Sequence, residues 1–219
     1  MATSSLTVLD HPSVYDRLAR LRDRDTPCAE FRVLLEELGV SLAYEATRSL
    51  ALTETVVRTP LQETPAWRIA RAPVVAPILR AGLGLLPGFL RVIDDAIVAH
   101  LGFYRDPSTL QPVPYYANVP ADLSDRQVFV LDPMLATGNS GVAAIGALIA
   151  HGARDITFIA LIAAPEGVHT IHAAHPQVHI VTGAMDDRIN DHGYILPGLG
   201  DAGDRMFGST SSVPTSVRT

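Results

Sequence analysis

Apolar residues recur at helical spacing in two opening segments, Val14, Leu18 and Leu21 in the first and Phe31, Leu34, Leu35, Leu38 and Leu42 in the second. Two helices are predicted, parted near Thr26-Pro27. The pattern then shortens. Residues 52–59 are β-rich and partly alternating, and 72–79 form an apolar run suited to a buried strand. That strand leads into a glycine loop and an apolar helix. Two further β-like runs, 96–104 and 112–116, are joined by the polar stretch 105–109, which predicts a projecting hairpin. Pro112 and Pro114 would confine its second arm to an edge. Beyond it the order is regular: strand 127–131, helix about 140–150, strand 156–163, helix about 165–174, strand 178–181. Gly152 suits the end of the first of these helices and Pro165 the start of the second. Strands alternating with helices at this spacing predict βαβ units, hence an α/β fold with a central, mainly parallel sheet. Residues 1–208 are read as one domain, and 209–219, which lack apolar periodicity, as a disordered tail.

Composition narrows the function. The chain has 219 residues, 47% hydrophobic and 18% charged, enough for one substantial core. The N-terminus lacks a basic segment followed by an apolar run, and the most apolar stretch, 142–164, is broken by Arg154 and Asp155. We expect a cytoplasmic protein with no membrane span. Cys28 is the only cysteine, which excludes an internal disulfide or a thiolate cluster; it is read as a small, partly buried apolar residue. All 17 basic residues are arginine. Without lysine there is no Schiff-base chemistry and no phosphate-gripping P-loop lysine, so a phosphate must be held by arginine, hydroxyls and backbone amides. A net charge of -6 without a basic block argues against nucleic acid as a partner.

Three segments carry candidate chemistry. In Phe129-Val-Leu-Asp-Pro-Met-Leu-Ala-Thr-Gly-Asn-Ser-Gly141, Asp132 falls at the carboxyl end of a predicted strand, the sheet edge where ligands collect in open α/β folds. Gly138 lets the backbone approach an anion, the following helix start points amides at it, and Thr137 and Ser140 add hydroxyls. The same residues also suit an ordinary turn with Thr137 or Ser140 as helix cap. In Pro77-Ile-Leu-Arg-Ala-Gly-Leu-Gly84, the fork of Arg80 matches two oxygens of a diphosphate; alone, the loop equally suits a surface arginine beside a turn. Gly193-Tyr-Ile-Leu-Pro-Gly-Leu-Gly-Asp-Ala-Gly-Asp-Arg205 combines dense glycine with apolar anchors, a loop able to show its backbone groups to a flat heterocycle. His169, His172 and His175 lie three apart on a predicted helix, where 175 rotates away from the other two, so they are read as surface histidines and not as a metal site.

Together these loops resemble the uracil phosphoribosyltransferase family. Asp132-Pro-Met-Leu-Ala-Thr-Gly138 is similar to its 5-phosphoribosyl 1-diphosphate (PRPP) signature, in the form where Pro133 replaces a second acid. The Arg80 loop, Tyr104-Arg-Asp106, the 193–205 loop, Asp10-His-Pro12 and Leu42-Ala-Tyr-Glu-Ala-Thr-Arg48 are similar to other family segments, so the resemblance covers about 8–208. It implies a phosphoribosyltransferase-type α/β core with N-terminal helices and a hairpin flap, and transfer of a phosphoribosyl group from PRPP to uracil, giving UMP and diphosphate. By the same resemblance, Asp132, Pro133, Met134, Leu135, Ala136, Thr137, Gly138, Asn139 and Ser140 would hold the ribose and its 5-phosphate, with Arg80 and Arg105 on the diphosphate. Ile195, Gly200 and Ala202 would present backbone groups to uracil, and Asp201 would face both the base and the diphosphate with its magnesium ion. A homo-oligomer of two or more chains and, in some members, activation by GTP are also implied.

The sequence departs from the family pattern at Asn139, where glycine is usual, and at Asn118, where lysine is common. Asparagine tolerates left-handed backbone, which would preserve the loop. A contrasting reading, a non-catalytic regulator that senses PRPP and binds nucleic acid, is opposed by the charge of -6.

Overall fold

The computed structural model describes residues 6–105 and 112–209, the side chain of Arg105 excepted. Residues 106–109 of the predicted hairpin connector 105–109 and all of the predicted tail but Ser209 lie outside the described residues. In chain order the elements are β1 (Leu6–Val8), α1 (Pro12–Arg22), α2 (Cys28–Ala46), β2 (Leu52–Arg58), β3 (Glu63–Ile69) and β4 (Val74–Leu79). A short 3-10 turn leads to α3 (Leu86–Val92), then β5 (Ile97–Val98), β6 (His100–Arg105) and β7 (Pro112–Asn118). The remainder comprises β8 (Gln127–Leu131), β9 (Met134–Leu135), α4 (Asn139–Ala150), β10 (Asp155–Ala163), α5 (Pro165–Ala174), β11 (His179–Met185), β12 (Arg188–Ile189), β13 (Ile195–Leu196) and α6 (Ala202–Phe207).

Local chemistry sets several boundaries. Pro12 opens α1, where its missing N–H is no loss, and His11 caps the helix by accepting from Ser13 N–H at 3.1 Å. Every apolar position assigned to α1 and α2 from periodicity is buried. Thr59 closes the β2–β3 hairpin, its hydroxyl accepting from the amides of Leu61 and Gln62. β3 escapes sequence patterning because Pro65 and charged residues interrupt it, and β1 because three residues carry no period. β11 runs four residues beyond the apolar segment that predicts it. It passes through the fully buried Thr182, whose hydroxyl is satisfied by the Ala184 carbonyl at 3.1 Å.

The main sheet has the order β1-β11-β10-β8-β4-β6-β7, with β5 beside β4 and β9 beside β10. Its neighbouring pairs are parallel except β6–β7, the expected hairpin. Side chains alternate across the pleat. Phe129, Leu131, Ile159, Leu161 and Val181 therefore pack with α1, α2, α3 and α6, whereas Val128, Val130, Phe158, Ala160 and Ile180 pack with α4 and α5. Strands buried on both faces read as continuous apolar runs, as 127–131 and 156–163 do. Leu131 aligns with Pro77 on one side and Ile159 on the other, so the carboxyl ends of three central strands open at one edge.

Phe129 is fully buried with its ring 5.9 Å from that of Phe89, joining the central strand to α3. Phe129→Ala is expected to lower stability by about 3–5 kcal/mol through lost burial and a residual cavity, read as a lower urea midpoint.

Candidate active site

The carboxyl edge of the sheet forms a cleft of about 370 Å³, lined by parts of three loops far apart in sequence. The first follows β8. Pro133 O accepts from both Leu161 N–H (3.0 Å) and Ile162 N–H (3.1 Å), and the register of β8 on β10 carries on unchanged into β9. Asp132, just past the end of β8, lines the cleft, and its Oδ1 accepts from Met134 N–H at 3.2 Å. After β9 the chain reaches Gly138, the N-cap of α4, at φ 83. A Cβ there would lie 2.8 Å from Gly167 O and 2.9 Å from Thr170 Cβ, so both backbone angle and close packing require glycine. No side chain caps α4 among the described residues, and amides at such a helix start suit an anion. Thr137 and Ser140, alternatives for that cap in the sequence, instead line the cleft.

Asn139 is the first residue of α4, in helical backbone. The left-handed position is Gly138, so Asn139 needs no special tolerance, and it lines a separate groove between α4 and α5. Met134, Leu135 and Ala136 join Asp132 in the cleft wall. Pro133 is not among the residues that line the cleft, and its carbonyl bonds to β10.

The second loop follows β4. Ala81 lines the cleft, while the exposed guanidinium of Arg80 stands beside it, Nη2 3.8 Å from Asp204 Oδ1 and Cζ 5.4 Å above the Phe207 ring. The Leu79–Arg80 peptide is cis. Arg105 ends β6, and its side chain lies outside the description.

The third loop runs from β12 to α6. Asn190 shapes its turn, its side-chain oxygen accepting from the amides of His192 (3.0 Å) and Tyr194 (2.9 Å). Ile195 is buried in β13 opposite Ile189. Gly200, Asp201 and Ala202 follow, and Asp201 caps α6 by accepting from Asp204 N–H at 2.8 Å. All four line the cleft. Arg205 braces this loop, its Nη1 donating to the carbonyls of Leu21 (2.7 Å) and Leu199 (2.8 Å), with its guanidinium 4.4 Å from the Phe31 ring centroid. Burial holds the Arg205 pKa below its ordinary value, partly countered by Asp23.

The cleft also includes His192, Tyr194 and Phe158, which sequence reasoning left without a role. The turn residues around Asn190 and Gly193 were the available signal for the first two. Phe158 had none, since a cleft floor reads like any core strand. His172 and His175, expected on the surface, are half-buried with Nε2 atoms unbonded among the described residues, and no group of three or more metal-binding side chains forms among those residues.

A mainly parallel sheet with helices on both faces, an uncapped helix start beside a strand-end aspartate and a glycine-rich loop opposite define a phosphoribosyltransferase-type α/β protein. The family model for "Uracil phosphoribosyltransferase" matches residues 8–209. The uracil phosphoribosyltransferase of Paracoccus denitrificans is 53% identical over 210 residues, 95% of this chain and 100% of that protein. That of Geobacillus kaustophilus is 51% identical over 203 residues, 92% and 97% of the two chains. The solved structure of the AQ2163 protein from Aquifex aeolicus superposes with TM-score 0.89 at 38% identity, covering 94% of this chain and 99% of its own. The chain belongs to the uracil phosphoribosyltransferase family.

Gly138→Ala places a side chain in left-handed backbone, at about 1–2 kcal/mol, and against Gly167 O. A lower melting temperature and weaker calorimetric binding of ribose 5-phosphate are expected, the second exceeding what a distant variant of equal stability shows.

Proposed function

We propose that this enzyme forms UMP and diphosphate from uracil and PRPP in pyrimidine salvage, with the base on the 193–202 loop and the 5-phosphate at the start of α4. The observation that carries this assignment is one cleft bounded by Thr137, Gly138 and Ser140 on one side and Ile195, Gly200 and Ala202 on the other. The amides and hydroxyls of the first group suit a phosphate dianion. Backbone groups of the second suit uracil, which shows one N–H between two carbonyls. Cytosine changes part of that pattern and would leave buried groups unpaired, a mismatch able to supply discrimination of about 10⁴ or more.

In the transfer, the bond from uracil N1 to ribose C1′ forms, the bond from C1′ to the diphosphate oxygen breaks, and N1 gives up its proton. Positive charge gathers on the ribose as the diphosphate departs. The chain contributes by holding both partners in line and by stabilising charge, and the reaction needs no protein nucleophile. Asp132, just past the end of β8, suits the ribose hydroxyls. Arg80 stands at the rim beside Ala81, within side-chain reach of a diphosphate at the cleft mouth, and Arg105 is assigned to the same group by resemblance. Magnesium fits this donor set: Asp132 and Asp201 both face the cleft, and that cation commonly uses one or two carboxylates with substrate phosphates. When bound, it would neutralise charge on the leaving diphosphate. A polyanionic substrate crosses bilayers poorly, which supports a cytoplasmic setting, and no helix among the described residues is long and apolar enough to span a membrane.

The homo-oligomer is assigned to the β2–β3 hairpin. It forms a two-stranded sheet of its own, and one face carries Leu52, Val56, Pro65, Trp67 and Ile69, all exposed. Two strands alone are marginal in water, and a second copy of the chain would cover this face.

Turnover of uracil, cytosine, hypoxanthine and orotate with PRPP and magnesium, with and without GTP, tests the assignment. UMP from uracil alone supports it; reaction of another base without uracil would overturn it. Arg80→Ala is expected to raise the PRPP KM about tenfold or more while changing the uracil KM much less. Replacing Val56 and Trp67 together by glutamate should reduce the sedimenting mass to that of a smaller assembly.

A further inference from the structure

The base-facing stretch is held from behind by an ion pair that touches neither substrate position. Asp186 follows β11 and is 7% exposed. Its Oδ1 accepts from Arg22 Nη2 at 2.5 Å, and its Oδ2 accepts from Arg22 Nη1 at 2.8 Å and from the Gly198 amide at 2.9 Å. Arg22 Nη1 also donates to the Gly198 carbonyl at 2.8 Å. Both polar backbone groups of Gly198 are thus taken by one planar pair, which joins the end of α1 to the end of the sheet. On the next residue, Arg205 holds the Leu199 carbonyl while its Nη1 and Nη2 bind the carbonyls of Leu21 and Asp23 on either side of Arg22.

From this arrangement the geometry points to Arg22 and Asp186 as positioning residues that set the enzyme's selectivity for its base. The inference rests on the proposed reading of the 193–202 loop as the base site. Gly198 lies between Ile195 and Gly200, the cleft-lining residues to either side of it. It sits at φ 63, with Ile195 O 2.1 Å from where a Cβ would stand, so the loop folds back on itself at this residue. Backbone groups that read a heterocycle must be held to about 0.5 Å and 10–20°, and side chains elsewhere must supply that constraint. A bidentate arginine–carboxylate pair fixes direction as well as distance, which lysine or a neutral amide cannot reproduce. The bonds described for this pair run between its two members and to Gly198. Loosening it should therefore affect the base and leave PRPP alone.

Asp186→Asn and Arg22→Lys, each near the native size, are to be compared with wild type by steady-state kinetics on uracil, cytosine and PRPP, alongside melting temperature. In both variants the uracil KM is expected to rise about tenfold or more, the uracil-to-cytosine preference to fall, and the PRPP KM to stay within about twofold. Arg22→Lys, which keeps the charge beside Asp186, is the milder test should Asp186→Asn not fold. If wild type makes UMP while the folded variants change both KM values equally, change neither, or keep full base preference, the pair is only structural and the inference is overturned. If wild type makes no UMP, the base-site reading itself falls and takes the inference with it.

Discussion

The site depends on the parallel register of β4, β8, β10 and β11. Leu131 sits level with Pro77 and Ile159, and Ile159 level with Val181, so the chain leaves these strands at one edge of one sheet. Each departure is a different device: a 3-10 turn after Arg80, a two-residue β9 after Pro133 leading into an uncapped helix, a clamped loop after Asp186. A one-residue slip in any strand would turn its side chains to the wrong face and unload both cores. The burial that stabilises the sheet is therefore also what brings the loops together.

Arginine performs the tasks that other chains divide with lysine. Arg22 and Arg205 are partly buried and donate to backbone carbonyls as well as, for Arg22, to a carboxylate. A guanidinium has five donors in a fixed plane, so one side chain can tie several strands of backbone. Arg80, by contrast, is exposed, with its nearest acidic oxygen at 3.8 Å, a loose contact that a stronger anion can displace. The same residue type thus sets loops where it is partly buried and stays open to solvent where it is not.

Much of this was legible in the sequence because it rests on local chemistry. The core positions of α1 and α2 follow from a 3.6-residue period, the central strands from apolar runs, the loop that opens α4 from a glycine at a strand-to-helix turn. Eleven of the fourteen residues singled out with described side chains line the cleft, with Arg80, Pro133 and Asn139 outside its lining. What stayed hidden has no local signature. β1 is three residues long and exists only because β11 offers an edge; Phe158 becomes a cleft floor only when two loops close over it.

By itself the sequence determined the alternation of helices and strands, the chemical character of each loop and, through resemblance along most of its length, the family. Tertiary structure decided which groups meet. Gly138, not Asn139, takes the left-handed position because α5 packs against it; Arg22 and Asp186, 164 residues apart, converge on one glycine because the sheet carries β11 to the end of α1. Spacing along a chain encodes periodicity, but contact between distant segments is set by how their apolar faces are buried together.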